Sequence, residues 1–263
     1  MKRTLKAETG MSLVEATIIL MVLAVLTSVI APSVGDYVEE ARATKAKEDV
    51  EVIGTGILRL LRDTGLPCLS SEGSAPTIAD GCTMANRVDA LLSSGAAPNV
   101  TAGAVVLPSN THGNTGNASN NWPGSTSGNG VDTNPGGGDD TNVGINLTAS
   151  VDDHLVTNTA GYTGVSFTGG GTPAKATGWR GAYLTGAVGA DPWGFRYSAN
   201  TIFLTVASDS ATGTGNGQLS GGWSSDVVVV SAGSNGAIDT SFMSNGATAG
   251  SDDIIYVVSG STR

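Results

Sequence analysis

The chain is short of charge, histidine and cysteine. Of its 263 residues, 14% are Asp, Glu, Lys or Arg, against about a quarter in an ordinary soluble protein. There are two His, which supplies a His-centred triad or a multi-His metal site poorly. Lys and Arg number 13 against 23 Asp and Glu, for a net charge of −10. A nucleic-acid partner needs a basic face, so none is expected. Glycine is the excess, at 38 residues. The glycines follow no three-residue period, which excludes collagen. Hydrophobic residues make up 40%, enough for a core. The length suits one large domain or two small ones.

The two cysteines, Cys68 and Cys82, are close in sequence. One reading is a disulfide that closes a short loop, worth about 3 kcal/mol in the chain-entropy model. It requires an oxidising compartment. The other reading is two unpaired buried thiols.

The N-terminus favours export. Residues 1–10 are polar and basic, with Lys2, Arg3 and Lys6. From Ala16 to Ala31 there is no charge, and the polar residues are Thr17, Thr27 and Ser28. With Met11 to Val14 the segment reaches the length of a membrane-spanning helix. The basic flank keeps the start of the chain cytoplasmic and sends the bulk across. Ala31-Pro32 is a poor site for ordinary signal cleavage, because Pro follows directly. Glu15 stands inside the apolar run. A carboxylate in a bilayer costs several kcal/mol and calls for a partner.

Gly10-Met11-Ser12-Leu13-Val14-Glu15 resembles the prepilin cleavage motif shared by type IV pilins and the pseudopilins of type II secretion. The resemblance implies that a prepilin peptidase cuts after Gly10 and methylates the new terminus, Met11. It implies that Glu15 pairs with the N-terminal amine of a neighbouring subunit during assembly. A buried carboxylate is tolerable only when paired, and an α-amine is a suitable partner. Pro32 stands where pilins commonly place a helix-bending Pro. Cleavage removes Lys2, Arg3, Lys6 and Glu8, which takes the net charge from −10 to −12. A plain uncleaved signal anchor is the alternative.

Beyond Pro32 the helix is expected to continue to Arg62. Val34, Val38 and Ala41, then Val50, Ile53, Ile57, Leu60 and Leu61, recur at helical spacing. Gly65 and Pro67 end it. Pro32 leaves the carbonyl of Ser28 without its helical donor and is expected to loosen the helix. Gly54 and Gly56 are read as a pair packing under a sheet, with close helix–helix approach as the other reading.

A short helix is expected near Asn86 to Leu92, then an extended piece at Ala104–Leu107. Residues 109–150 are dominated by Gly, Asn, Ser, Thr and Asp and read as a long surface loop. Trp122 and the run Val143–Leu147 would tack that loop down. Strand-like runs follow at His154–Thr157, Tyr162–Phe167, Phe195–Ser198, Ile202–Ala207, Val227–Ser231 and Ile254–Ser259. Their expected arrangement is an antiparallel sheet packed on the exported half of the helix.

Tyr183-Leu184, Asp191-Pro192-Trp193-Gly194 and Tyr197 are similar to a signature of the type II secretion major pseudopilin. So are Asp226 to Gly233 with Asn235-Gly236, and later Asp252-Asp253-Ile254. That resemblance implies a structural Ca²⁺ in this closing loop, with carboxylates from Asp239, Asp252 and Asp253 and carbonyls from the Gly-rich backbone. No other cofactor is implied.

Other motifs carry less. Asp132 to Gly137 opens like an EF-hand loop, but its twelfth place is Val143 rather than Glu. Gly136 to Asp140 is like one calcium-binding β-roll repeat, and only stacked repeats bind. Asp152-Asp153-His154 could suggest acid–base chemistry, but adjacent strand residues face apart, so Asp153 and His154 would not converge without a bend, and the reading taken is a solvated turn. The triplets at Asn99, Asn117 and Asn146 fit the glycosylation pattern, as chance allows in so Asn-, Ser- and Thr-rich a chain. No phosphate-binding loop or nucleophile turn is present.

The expectation is an α+β pilin fold. Residues 1–10 are a leader, 11–32 a transmembrane and assembly helix, and 33–65 its exported half. Residues 66–263 form a β-rich head with a loop insertion around 109–150. The expected function is a structural, non-enzymatic subunit of a filament, closest by motif to a major pseudopilin. A surface type IV pilus subunit is the alternative within the class. A membrane-anchored binding or enzymatic domain is the alternative outside it. The implied partners are other copies, prepilin peptidase, an inner-membrane assembly platform, and minor pilins or pseudopilins. The precursor would cross the inner membrane once with its head outside. The filament would stand in the periplasm or on the cell surface.

Overall fold

A computed structural model describes residues 11–64, 69, 88, 90–100, 122, 148–162, 178–204, 226–242 and 248–259. Gly10, Cys68, Cys82, the extended piece Ala104–Leu107 and the run Val143–Leu147 lie outside them. So does nearly all of the 109–150 loop. The chain divides into two compact units after Arg42. One helix, α1, is assigned over Leu13–Thr64 and is unbroken at Pro32.

In the first unit α1 carries no charge from Ala16 to Gly35, and its large apolar side chains there are uncovered among the described residues. Leu13 is 80% exposed and Met21 72%. The helix is long and apolar enough to cross a membrane. Its hydroxyls are satisfied internally. Thr17, Thr27 and Ser28 donate to the carbonyls of Val14, Leu23 and Val25 at 2.7–2.8 Å. These back-bonds satisfy the three hydroxyls between Ala16 and Ala31, as an apolar environment demands.

In the second unit the same helix has one buried stripe: Ala46, Val50, Ile53, Ile57, Leu60 and Thr64. Steps of four and three residues keep these side chains on one face. Each buried Val, Leu or Ile contributes roughly 1.5–3 kcal/mol. The glycine pair belongs to this packing. A Cβ at Gly54 would lie 2.3 Å from the Tyr256 ring, and one at Gly56 3.1 Å from Leu184.

The sheet is mixed rather than antiparallel throughout. It comprises β1 (Ala90–Leu92), β3 (Thr148–Ser150), β4 (Ser198–Ala199), β5 (Val227–Ser231) and β7 (Ile254–Ser259), in the order β3-β1-β4-β5-β7. Three ladders are antiparallel, and β1 pairs with β3 in parallel. A second small sheet pairs β2 (Asn99–Val100) with β6 (Ala237–Ile238), also in parallel. All five residues of β5 are buried, as a strand covered on both faces should be.

Four expected elements differ. The strand expected at Phe195–Ser198 is reduced to an isolated bridge at Phe195 and the two-residue β4, Ser198–Ala199. The helix expected near Asn86 to Leu92 gives way to β1, whose residues pair with strands on both sides. Tertiary pairing overrides a weak helical preference there. The strand expected at His154–Thr157 gives way to helix α2, Val151–Leu155. Ser150 caps it by accepting from the Asp152 N–H, and Asp152 and Asp153 sit in its first turn. The strand expected to start at Ile202 begins instead as a 3₁₀ turn, Thr201–Leu204. Thr201 ties that turn down by donating its hydroxyl to the Val88 carbonyl at 2.8 Å.

Trp122 does tack its segment to the head. It is fully buried, meets Phe242 edge-to-face with centroids 4.9 Å apart, and donates Nε1–H to the Thr240 carbonyl at 2.8 Å.

Candidate functional site

Two places carry the expected functional residues, one in each unit. In the first unit Glu15 is exposed on the first turn of α1. It has no hydrogen-bond or ion-pair partner among the described residues. Met11 is exposed just before the helix. Glu15 is thus the one carboxylate between Met11 and Gly35, on an exposed surface made mainly of Leu, Ile, Val, Met and Ala.

In the second unit two of the signature residues, Asp191 and Tyr197, hold the fold. Asp191 is 4% exposed. Its Oδ1 accepts from the backbone N–H of Trp193 at 3.0 Å and of Phe195 at 2.8 Å. Its Oδ2 accepts from the Ser231 hydroxyl at 2.7 Å. One side chain thereby closes the Asp-Pro-Trp-Gly turn and ties it to the end of β5. Tyr197 donates its hydroxyl to Asp49 Oδ2 at 2.9 Å and so clamps the sheet to α1. Burial and the Asp49 carboxylate push the Tyr197 phenol far up from its ordinary value.

The closing loop is built on carboxylates. Asp252 Oδ2 accepts from the Ser234 hydroxyl at 2.7 Å and the Asn235 N–H at 2.8 Å. Asp253 Oδ2 accepts from the Asp239 N–H at 2.9 Å, the Thr240 N–H and the Thr240 hydroxyl. Gly236 has φ +68, and a Cβ there would lie 2.2 Å from the Phe195 ring. Only glycine meets both conditions. At Asp252 burial raises the carboxyl pKa, but the Ser234 and Asn235 donors outweigh it and leave the pKa below the ordinary value. At Asp253 burial wins over its donors, and the carboxyl is raised to about 6.

Of the expected calcium ligands, Asp252 and Asp253 each present a buried Oδ1 that accepts no hydrogen bond. Asp239 lies beside them through its backbone, and its Oδ2 accepts from Asn235 Nδ2 at 3.4 Å. No group of three acid, His or Cys side chains converges as a metal site among the described residues.

The sequence reading missed the role of Asn200, and its solvated turn at Asp152-Asp153-His154 is overturned, because these residues lie on α2 and His154 is buried. Asn200 is buried, donates Nδ2–H to the carbonyls of Asp226 and Phe242, and accepts from the Val228 N–H. His154 is buried on α2, with Nδ1 2.6 Å from the Tyr162 hydroxyl. Burial lowers the His154 pKa to about 4. A buried Asn or His has no marker in a single sequence, so nothing local separated these two from surface residues.

Comparison with family models, curated proteins and solved structures gives no match.

His154 and Asp253 titrate in opposite senses. The unfolded chain protonates His near pH 6.5 while the folded head resists until about 4. Acidification across that window therefore removes roughly 3 kcal/mol of stability. Asp253 is the reverse: the folded state takes up its proton near pH 6 and the unfolded state near 3.8, so acidification adds stability. With chelator present, Asp253→Asn is expected to lose stability more steeply than wild type between pH 6.5 and 4. His154→Gln is expected to gain stability, or hold it, over the same range. Thermal denaturation at intervals of pH reads both, and three parallel profiles would refute the assignment.

Proposed function

We propose that this chain is a structural subunit of a type IV pilin-like filament, matured by cleavage after Gly10. The observation that carries the reading is Glu15. It is a partnerless carboxylate on an uncovered apolar helix, four residues beyond the terminus that cleavage would create. In the proposed mechanism the precursor inserts with its basic leader in the cytoplasm and its head outside. Prepilin peptidase frees and methylates the Met11 amine. Glu15 of one copy then attracts the amine of another within a low-dielectric setting, where an unpaired charge is most costly. The apolar segment exchanges lipid for other copies. The inner-membrane platform and minor subunits are the partners such assembly requires. Chemistry plays no part, and the signature residues Asp191 and Tyr197 serve the fold.

The Asp-Pro-Trp-Gly and closing-loop signatures favour the pseudopilus of a secretion machine. The long, weakly charged stretches rich in Gly, Asn, Ser and Thr favour a surface pilus. A structural Ca²⁺ at the closing loop is part of the proposal. The bare, buried oxygens of Asp252 and Asp253 support it, because a buried acceptor without a donor is costly. When bound, Ca²⁺ supplies charge neutralisation and fixes the loop.

The filament reading predicts that Glu15→Ala inserts and is cleaved normally but is largely lost from pelletable fibres. Normal fibre yield from Glu15→Ala would refute it. For the cation, adding Ca²⁺ to chelator-treated protein is expected to raise the melting temperature of wild type but not of an Asp252→Asn/Asp253→Asn double variant. Identical responses of the two proteins would remove Ca²⁺ from the account.

A further inference from the structure

A reactive pair lies on the closing loop. Asn-Gly occurs at residues 129–130, 216–217, 235–236 and 245–246, and Asn235-Gly236 is the one within the described residues. In such a pair the glycine nitrogen attacks the side-chain carbon of the Asn, with no Cβ on the glycine to obstruct it.

The fold holds both members in place. Gly236 has φ +68, and a Cβ there would lie 2.2 Å from the Phe195 ring, so a larger residue does not fit. Asn235 is exposed on the turn that precedes β6. Its Oδ1 accepts the Ala237 N–H at 2.6 Å. That bond fixes the orientation of the amide, since an N–H must face its oxygen and not its nitrogen. Nδ2 then donates to Asp239 Oδ2 at 3.4 Å. The Asn235 N–H is anchored in turn by Asp252 Oδ2 at 2.8 Å. The Gly236 N–H donates no hydrogen bond among the described residues.

For Oδ1 to reach an N–H two residues on, the side chain must fold back over the peptide between them. That peptide contains the Gly236 nitrogen, so Cγ is brought to its nucleophile. The Ala237 N–H sits where negative charge develops on Oδ1 during attack, which is the place of an oxyanion donor. The Asp239 carboxylate faces the amine that must leave and favours its protonated form. Nucleophile, donor and leaving-group partner converge on one amide, in a turn that is already ordered.

We propose that Asn235-Gly236 is a self-modification site, at which the folded head converts Asn235 to aspartate and isoaspartate with water as co-reactant. The Gly236 nitrogen bonds to Asn235 Cγ and gives up its proton. The Cγ–Nδ2 bond breaks, and Nδ2 takes up a proton and leaves as ammonia. Water then opens the cyclic imide. Cleavage of the new bond to Cγ leaves aspartate. Cleavage of the original peptide bond leaves isoaspartate, with the chain rerouted through Cγ. Either product adds a carboxylate beside Asp239 and Asp252. Isoaspartate also lengthens the backbone by a carbon and withdraws Gly236 from its seat on Phe195. This chemistry needs the head alone and does not depend on filament assembly.

The test incubates the full chain in one buffer at neutral pH, folded in one sample and unfolded by guanidinium chloride in another. Peptide mapping by mass spectrometry follows ammonia loss and then water gain at each Asn-Gly, and an isoaspartyl methyltransferase assay measures isoaspartate. Ser234-Asn235-Gly236-Ala237 and Ser244-Asn245-Gly246-Ala247 share the same four residues, so the unfolded chain is expected to convert Asn235 and Asn245 at matching rates. Folded protein is expected to convert Asn235 at least about tenfold faster than unfolded protein does. A folded rate equal to or below the unfolded one would overturn the proposal, and this comparison needs no variant. In a second arm, Asp239→Asn is expected to slow conversion of Asn235 several-fold in folded protein and to leave the unfolded rate unchanged. A melting temperature measured alongside separates that effect from loss of the fold. A folded Asp239→Asn protein that converts Asn235 as fast as wild type would also count against the constellation.

Discussion

A helix lined with uncovered apolar side chains is ill suited to water, and residues 13–31 form such a helix. By length and composition it suits a membrane or another apolar surface. Its hydroxyls bond backward onto their own backbone, so they ask nothing of the surroundings. Glu15 is the one group that does ask for something, and it has no partner within the described residues. Farther along the same helix, one stripe from Ala46 to Thr64 is buried and the other faces are polar. A single element thus serves two environments, through a change in side-chain pattern alone.

The head is held together by buried polar groups as much as by its apolar core. Asp191 and Asp253 each take several bonds from backbone N–H or hydroxyl groups, and Asn200 takes one from the Val228 N–H while donating to the Asp226 and Phe242 carbonyls. Two-residue strands such as β4 and β6 bring few ladder bonds of their own. Side-chain acceptors replace the missing ladder, and a satisfied buried acceptor ties distant segments together more specifically than apolar contact does. This explains how a chain so rich in Gly, Ser and Asn encloses a continuous core around Val227–Val230.

The parts of the fold legible beforehand were those with strong periodicity. The 3.6-residue recurrence of Val50, Ile53, Ile57 and Leu60 marked α1, and the valine run marked β5. Close packing at Gly54 and Gly56 was legible, and it lies beneath the sheet at Gly54, while Gly56 faces Leu184 and, on α2, Leu155 instead. What was not legible depends on partners distant in sequence. Ala90–Leu92 is a strand because two other strands flank it. His154 is helical because Ser150 caps the preceding turn, a signal that four residues of β-like composition outweighed. The parallel pairing of β1 with β3 leaves no trace in either segment. At the candidate site, Glu15 and the closing-loop acids stood out by chemistry, as a charge in an apolar run and paired acids beside glycine turns. The roles of Asp191 and Tyr197 as fold-holding groups required coordinates.

The central claim is that the chain is cut after Gly10 and works from its new terminus. Mass spectrometry of its N-terminal peptide, from both sheared and membrane fractions of cells, tests this most directly. The account predicts a peptide that begins at Met11 and is methylated on its amine. Protein that retains Met1 in every fraction would contradict it and leave an anchored domain in place of a filament subunit.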